Sequence, residues 1–429
     1  MLAFIHLSDI HFNKYSGDPY DVDKDLRNEV LRDITNHCKK AISQINGILI
    51  CGDIAFSGQA AEYLVASEFL EQICAELSID RTHIFCVPGN HDVDQNITKN
   101  TSCVKLLQRQ LENKHVQADY DLCLAKFMRS PQDAYALGLP IQNFNETFAA
   151  QYRCDYTQDK LLWQQIMPID AEHNLCLVGI NSTIISSEED HISETLEKKM
   201  RIGNCQIPGR SARTIYLSLC HHPPECWEDP GKILSEKMSN RVTVQLYGHK
   251  HVQKIEFNGK SLIVGSGATH PCRTYGEWKP RYNWITLDVG SRSGTSCLTV
   301  RIYSRVLNHA QTAFEPEKRL PGGVEYEEFQ INLEETADEE ALSKDTNSPP
   351  EEGLKTPRIS VQSWERQFIY GFMNLPFSRR REILAELNLD RPADGETRHI
   401  CLLDSYIRRA KEQGCVEQLL VEIRRGPMV

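Results

Sequence analysis

Carboxylate, imidazole and amide side chains cluster at five short places in this 429-residue sequence. Each place directly follows a short apolar run, and the residues are Asp9-Ile10-His11, Gly52-Asp53, Gly89-Asn90-His91-Asp92, Cys220-His221-His222-Pro223 and Gly248-His249-Lys250-His251. Neutral imidazole, carboxylate and amide oxygen form a mixed ligand set that suits Mn²⁺, Fe or Zn²⁺. Two such ions about 3.5 to 4 Å apart are an arrangement used for in-line attack on phosphorus. The residue types therefore predict a two-metal site for phosphate-ester chemistry.

The spacing within two of these motifs predicts how their side chains are aimed. Asp9 and His11, like His249 and His251, are separated by one residue, and alternate side chains of an extended backbone point to the same side. We therefore expect each motif to hold metal from an extended segment, with Lys250 pointing away. Glycines precede Asp53, Asn90 and His249, where they let the chain turn sharply and approach the ions closely.

The elements that position these motifs are short buried strands alternating with helices. Residues 1 to about 320 contain apolar runs of 4 to 8 residues, among them FIHLSD, GILICGDI, HIFCVPGN, TIYLSLCHH and TVQLYGHK. Such continuous runs are typical of strands covered on both faces, and helix-length stretches such as 23–43 and 59–77 separate the early ones. The pattern predicts an α/β layered domain with its site at the carboxyl ends of the strands.

The motifs DIH, GDIAFSG, GNHD, HHPP and GHKH, in this order, resemble those of the calcineurin-like metallophosphoesterase superfamily, most closely its bacterial phosphodiesterase branch. The resemblance covers about residues 1–310. It implies an α/β fold in which a calcineurin-like layered β-sandwich is flanked by helices. It also implies a dinuclear centre of divalent ions (Mn, Fe or Zn) and hydrolysis of a phosphodiester by a metal-bridged hydroxide.

The resemblance implies a role for each motif residue. Asp9, His11 and His251 correspond to ligands of a first metal, Asn90, His221 and His249 to ligands of a second, and Asp53 to the bridging carboxylate. His91 corresponds to a non-ligand imidazole that contacts the phosphate and protonates the leaving oxygen, with Asp92 orienting its ring. His221 is preferred to His222 as ligand because the family pattern is a ligand His, one variable residue and then Pro.

Several other residues keep two interpretations each. His270 is interpreted as a surface-loop residue, with substrate contact as the alternative, and Arg273 and Arg281 as solvated loop charges, with phosphate neutralisation as the alternative. His6, His83 and His173 have no motif around them. Residues 93–175 are predicted to form a helical cap insertion that shapes access to the site. Their aromatic and basic residues fit an ordinary amphipathic cap better than a base-stacking surface.

Composition divides the chain into three zones. Residues 1–330 are the predicted metallophosphoesterase domain, and residues 331–357 form an acidic linker that contains Pro349 and Pro350. Residues 358–429 recover helical periodicity and are predicted to form a small all-α bundle of about four helices. This bundle loosely resembles the effector-associated or death-like adaptor modules of bacterial effector enzymes, which implies a partner protein or self-association. A generic oligomerisation bundle is the alternative.

The overall composition is that of a globular protein without membrane spans. The net charge of −11 argues against a generally basic surface that coats nucleic acid, and the 15 cysteines are scattered singly, as reduced core residues are. We expect a cytoplasmic enzyme that hydrolyses a phosphodiester of a nucleotide or nucleic acid and is recruited through its C-terminal domain. The alternatives are a cyclic nucleotide phosphodiesterase and a non-catalytic, metal-stabilised scaffold protein.

Overall fold

The structure is a computed structural model that describes residues 1–193, 196–197, 199–271, 279–292, 295–333, 377–389, 406 and 409–425. The chain divides into two compact units, Met1–Asp345 and Thr346–Val429. Arg273 and the predicted linker from residue 334 onward lie outside the described residues.

The first unit is built around strands. Its described strands are β1 (Leu2–Leu7), β2 (Gly47–Cys51), β3 (Ile84–Val87), β4 (Leu162–Pro168), β5 (Asn174–Ile180), β6 (His191–Ser193), β7 (Leu196–Glu197), β8 (Thr214–Cys220), β9 (Val244–Tyr247), β10 (Gln253–Phe257), β11 (Leu262–Ser266), β12 (Arg281–Arg292), β13 (Thr295–Leu307), β14 (Phe314–Pro316) and β15 (Glu327–Asn332).

Helices flank these strands. Those described in the first unit are α1 (Lys24–Asp33), α2 (Lys39–Ala41), α3 (Ala60–Leu77), α4 (Gln95–Asn100), α5 (Ser102–Glu112), α6 (Gln117–Arg129), α7 (Pro131–Gly138) and α8 (Ile233–Ser239). Short 3₁₀ turns join some elements, and one of them, Asn90–Asp92, follows β3 and carries predicted site residues.

Two mixed sheets form the centre of this unit. The first has the order β14-β13-β12-β1-β2-β3, with β15 also paired to β13, and the second has the order β10-β11-β9-β8-β5-β4. β1, β2 and β3 are mutually parallel, and so are β5, β8 and β9. Parallel strands end at the same edge of a sheet. The loops after β1, β2 and β3 therefore lie together at one edge of the first sheet, and those after β5, β8 and β9 at one edge of the second.

The central strands of both sheets are buried because apolar side chains pack against their faces. One core contains Phe4 and Ile5 of β1 together with Leu177 of β5 and Leu217 of β8, which joins the two sheets. The alternate residues of β5, such as Val178, belong to a second core with α5, α6 and α8. Burial on both faces explains why these strands read as continuous apolar runs. The predicted α/β sandwich flanked by helices is confirmed.

The predicted cap insertion differs from a purely helical one. Helices α4 to α7 lie within residues 93–175, but β4 also lies there and pairs antiparallel with β5 at the edge of the second sheet. β4 exposes alternate residues, so its sequence, LWQQIMP, carries less apolar signal than a central strand. Part of the predicted insertion is therefore sheet.

The second unit contains α9 (Phe377–Glu386) and α10 (Val416–Arg425). Ile383, Leu384 and Leu389 pack with Tyr406, Ala410 and Leu419 in a small core. Gly414, at φ +67°, ends the turn before α10 in a left-handed conformation that glycine adopts readily. The first helix expected in this zone, at residues 364–375, lies outside the described residues. None of the helices described in the two units has both the length and the apolarity that crossing a bilayer requires.

Candidate metal centre

Side chains that follow five different strands converge at one place in the first unit. Their ligand atoms lie within 4.8 Å of one another in four overlapping groups, which are Asp9, His11 and His251; His11, Asp53 and His91; Asp9, Asp53 and His221; and His221, His222 and His249. Asn90 joins them through hydrogen bonds to His221 and His249. The structure therefore brings together all seven predicted ligands and His91.

Asp53 lies at the centre of this cluster. Its Oδ2 atom is 3.3 Å from Nε2 of His11, which follows β1, and 3.3 Å from Nε2 of His221, which follows β8. The carboxylate thus faces one predicted ligand from each metal set at equal distance. Such a position suits a carboxylate that bridges two ions.

The remaining candidate ligands divide into two groups around Asp53. Nε2 of His251 lies 3.2 Å from Oδ1 of Asp9 on one side. On the other side, Oδ1 of Asn90 lies 3.0 Å from Nε2 of His221 and 3.0 Å from Nδ1 of His249. This division follows the two predicted sets of ligands.

Neighbouring groups fix the second polar atom of several predicted ligands. Nδ1 of His221 bonds to the carbonyl of Cys51 at 2.8 Å, and Nδ1 of His11 to the carbonyl of His270 at 3.2 Å. The Ser8 hydroxyl donates to Oδ2 of Asp9 at 2.5 Å. When a backbone carbonyl holds one ring nitrogen, the other is oriented towards the cluster, an arrangement that is usual for metal-binding histidines.

The backbone at the predicted ligands is not extended, contrary to the expectation from alternation. Asp9, His11, His249 and His251 have φ angles of 53°, 55°, 70° and 55°, and Asp53 has 51°. The left-handed region is uncommon for residues other than glycine, and such conformations concentrate at functional sites. The DIH and GHKH motifs therefore bring their ligands inward through tight turns after the strands.

Two glycines next to the ligands are required by space. A side chain at Gly89 would overlap the Asp53 carboxylate. A side chain at Gly52, which has φ +86°, would come within 2.6 Å of Nδ1 of His221. Both positions thus need glycine if the cluster is to close around Asp53.

The charges in the cluster stabilise one another. Burial would raise the pKa of Asp53, but His221, His91 and the hydrogen bond with His11 together hold it well below its usual range. Burial would lower the pKa of His221, yet the Asp53 carboxylate raises it to about 9. Without metal, the site therefore favours carboxylates paired with protonated imidazole, and cations that bind there must displace protons.

His91 is fixed beside the ligands by its main chain and its ring. Its backbone amide donates to Oδ1 of Asp53 at 2.8 Å, and its Nδ1 bonds to the carbonyl of Phe56 at 2.8 Å. The ring centroid lies 4.8 Å from that of His11. One face of the cluster thus carries a half-buried imidazole whose orientation is set by Phe56.

The expected contact between Asp92 and the His91 ring is wrong. The buried Asp92 carboxylate accepts hydrogen bonds from the backbone amides of Ile54, Ala55 and Gly89 and from the Tyr63 hydroxyl. Burial and the nearby Asp53 raise the pKa of Asp92 to about 6. The 3₁₀ turn after β3 directs this carboxylate back towards the loop after β2, so Asp92 supports the backbone around Asp53 instead.

Residues with two sequence-based interpretations have defined places in the structure. His222 contacts Ser182 through Nδ1 at 2.8 Å, and its ring centroid lies 4.4 Å from that of His249, so it lies next to the second set of predicted ligands. His270 lies against the cluster, with Nε2 2.9 Å from Asp23, rather than on a remote surface loop. Arg281 pairs with Glu317 at 2.9 Å, which satisfies its charge within the sheet.

No sequence pattern identified Ser8, Phe56 and Tyr63, which act through a hydroxyl or a backbone carbonyl. The donor set itself fits divalent metals, because carboxylate, amide and imidazole donors with fixed second atoms surround the central carboxylate of Asp53.

The sequence matches the models of two known protein families. The sequence model of the calcineurin-like phosphoesterase family matches residues 2–253, and that of the GTPase-associated adaptor domain matches residues 365–425. An uncharacterized metallophosphoesterase-like protein of Bacillus subtilis (strain 168), YydB, is 19% identical over 387 residues, which cover 86% of this chain and 73% of YydB.

Similar solved structures are distant in sequence. Vps29 of Chaetomium thermophilum is 10% identical, with 77% of this chain and 99% of that chain covered and a TM-score of 0.30. GAP50, the anchor in the inner membrane complex of Plasmodium, is 12% identical, with 78% and 89% covered and a TM-score of 0.35.

The family match extends over more than half of the chain, from β1 to the start of β10, and includes every strand end that carries a candidate ligand. The adaptor match falls in the separate C-terminal unit. The chain belongs to the calcineurin-like phosphoesterase family and is a metal-binding hydrolase of phosphoric esters.

Proposed function

We propose that the first unit is a phosphodiesterase that acts on a nucleotide or nucleic acid with two divalent ions, Mn, Fe or Zn. In this proposal Asp9, His11 and His251 hold one ion, Asn90, His221 and His249 the other, and Asp53 both. Bound divalent ions would supply Lewis-acid activation of water and of the phosphoryl group. The protein's contribution is a rigid donor set, because backbone carbonyls and tight turns fix the ligands before metal arrives.

His91 is proposed as the group that handles the leaving oxygen. Its Nδ1 is held by the Phe56 carbonyl, so Nε2 is the nitrogen left to face substrate. A positioned imidazole can protonate an alkoxide as the phosphorus–oxygen bond breaks. Asp92 is proposed as a positioning residue that holds the loops of Asp53 and His91 in place relative to each other.

The observation that favours a nucleotide substrate is the side chain of Phe56. This phenylalanine is 53% exposed, and its ring centroid lies 5.2 Å from that of His91. An exposed aromatic ring next to the leaving-group imidazole offers a surface on which a nucleobase attached to the scissile phosphate can stack. Phospholipid headgroups have no comparable flat group.

A substrate panel with a matched pair of variants tests this proposal. Full-length protein with Mn²⁺ would be assayed on bis-p-nitrophenyl phosphate, single- and double-stranded DNA, RNA, cyclic mononucleotides and glycerophosphoethanolamine. We expect Phe56→Leu to raise KM for nucleotide substrates by roughly 5- to 100-fold, as loss of one base stack predicts, and to leave glycerophosphoethanolamine within about twofold. The Phe56 carbonyl remains in this variant, so His91 stays fixed.

Phe257→Leu serves as the control, since Phe257 is also exposed but packs on Phe329 in the sheets. Equal effects of Phe56→Leu on all substrates would remove the stacking argument. Two bound metals without turnover of any phosphodiester would instead support the non-catalytic scaffold.

We also propose the domain division as 1–330 catalytic, 331–357 linker and 358–429 interaction domain. The match to the GTPase-associated adaptor domain supports recruitment of a protein partner. GTPases are the class to test first, because the name of that domain family refers to them. A chain ending at residue 345 is expected to keep turnover of bis-p-nitrophenyl phosphate and to lose partner binding and self-association. Loss of turnover in that chain would contradict this division.

A further inference from the structure

A second charged site lies at the opposite ends of the strands that lead to the metal centre. A cavity of about 770 Å³ opens where β8 and β9 begin, and we call it the basic groove. Arg210 and Arg213 line it before β8, Arg241 before β9 and Lys260 before β11. Glu172 is the only carboxylate among its described lining residues.

The charge of the groove is opposite to that of the chain as a whole. Four cationic side chains face one carboxylate there, whereas the net charge of the protein is −11. Like charges around one cavity repel one another, and this repulsion is relieved when an anion enters. A local reversal of charge in a concave site therefore points to an anionic ligand.

The three arginines of the groove have no carboxylate partner within ion-pair distance in the part of the chain that the structure describes. By contrast, Arg281, Arg301 and Arg305 each pair with a carboxylate at 2.6 to 2.9 Å. Arginine presents a planar fork of donors that matches phosphate oxygens. The groove thus holds guanidinium groups that are available for a ligand.

The polar atoms of the groove indicate phosphate recognition and not base recognition. The one large aromatic side chain among its described lining residues is Tyr216, which is only 9% exposed, so this ring is not available for stacking. Thr214, Ser239 and Thr243 add hydroxyl groups to the wall. The volume lies within the range of about 300 to 1,000 Å³ that small-molecule sites occupy.

The groove is separate from the metal centre. Thr214 lines the groove at the start of β8, and His221 follows the end of the same strand. Seven extended residues span roughly 20 Å, so a phosphate in the groove is too far away to be the one that reacts. We propose that the basic groove is a second, non-catalytic site that binds closely spaced phosphates, as in a free polyphosphate or a nucleic-acid backbone.

The test uses full-length protein in EDTA, so that the metal centre contributes least to anion binding. The probes are inorganic tripolyphosphate and a fluorescein-labelled single-stranded DNA 20-mer, measured by calorimetry and by fluorescence anisotropy. We expect Arg210→Gln/Arg213→Gln/Arg241→Gln to weaken binding at least about tenfold, while Asp53→Asn binds like wild type. Turnover of bis-p-nitrophenyl phosphate in Mn²⁺ should stay within about twofold in the groove variant.

The matched control is Arg109→Gln/Arg129→Gln/Arg153→Gln, which removes three exposed charges elsewhere. If tripolyphosphate binds and the 20-mer does not compete, the ligand is a free polyphosphate. If the 20-mer binds and the groove variant lowers its salt slope by about 2, as loss of three phosphate contacts predicts, the ligand is a nucleic-acid backbone.

The proposal is overturned if neither probe binds, or if the groove and control variants weaken binding equally. Because Arg210 and Arg213 are exposed and Arg241 is half-buried, the variant should fold, and Arg210→Glu alone provides a second test if it does not. Failure of this test leaves the phosphodiesterase proposal intact, since that proposal rests on turnover and this one on binding without metal.

Discussion

The two ends of β8 and β9 present opposite chemistry. At their carboxyl ends, scarce residue types are packed into short motifs. The predicted ligands His221, His249 and His251 are buried or half-buried there and hydrogen-bonded, and the last two have left-handed backbone conformations. At their amino ends, three arginines from two separate loops line a cavity; they are exposed or half-buried and have no carboxylate partners in the described structure. The first arrangement suits metal binding and catalysis, and the second suits reversible binding of anions. The same strands can thus serve two functions because their ends are far apart.

The largest expected effect comes from breaking the metal end at its centre. Asp53→Asn removes the charge that faces both His11 and His221 at 3.3 Å. We expect turnover of bis-p-nitrophenyl phosphate to fall on the order of 1,000-fold or more, with loss of metal measured by inductively coupled plasma mass spectrometry. Phosphate binding in the groove should be unchanged. Retention of two metals with near-normal turnover would show that Asp53 does not bridge them.

A smaller effect should separate chemistry from metal binding. In His91→Ala the backbone amide bond to Asp53 persists, so the loop keeps its place while the imidazole is lost. We expect kcat to fall roughly 100- to 10,000-fold with both metals retained, as removal of a general acid predicts. Asn90→Ala is the matched variant, and it should lose metal instead. Metal loss in His91→Ala would contradict our assignment of His91 as a non-ligand.

Asp92 should show an intermediate effect on activity together with a loss of stability. Asp92→Asn places an amide where three backbone N–H groups and Tyr63 now donate, so a donor faces donors. We expect roughly 10- to 100-fold lower activity and a free energy of unfolding lower by about 1 to 3 kcal/mol. Tyr63→Phe removes one of these donors and should cost less. An unchanged unfolding midpoint in Asp92→Asn would show that the carboxylate does not support these loops.

The same two ends show what could be predicted from sequence. The convergence of the predicted ligands could be foreseen because Asp, His and Asn are adjacent in the chain and follow strands whose apolar runs are long enough to recognise. The left-handed turns at Asp9 and His11 were not, because alternation in a short motif fits a turn as well as an extended segment. The carbonyl of Phe56 has no sequence signature at all, since every residue has a carbonyl.

The basic groove was missed for a different reason. Arg210, Arg213 and Arg241 form no motif, and their loops come together only through the pairing order β11-β9-β8. Arg281 shows the opposite case. From sequence it is interpreted as a solvated loop charge, but it forms an ion pair with Glu317. Whether an arginine is available for a ligand depends on partners that are distant in sequence, so such sites emerge only from the fold.

The smallest expected effect concerns a histidine that belongs to neither end. His6 lies within β1, fully buried, and burial lowers its pKa to about 3 although Asp9 acts in the opposite sense. Its value in the unfolded chain is 6.5, so between pH 6.5 and 3 the unfolded state binds more protons and stability falls as pH falls. From pH 7 to pH 5 this should remove about 2 kcal/mol of unfolding free energy.

Urea unfolding at several pH values would measure this contribution as a difference between variants. His6→Leu should flatten the pH dependence over that range, whereas His83→Leu, at an exposed position, should retain the wild-type slope. The metal end is the same in all three proteins, so its contribution cancels in the comparison. If His6→Leu and wild type lose stability in parallel as the pH falls, His6 is not the source of the acid sensitivity, which would then belong to the metal end.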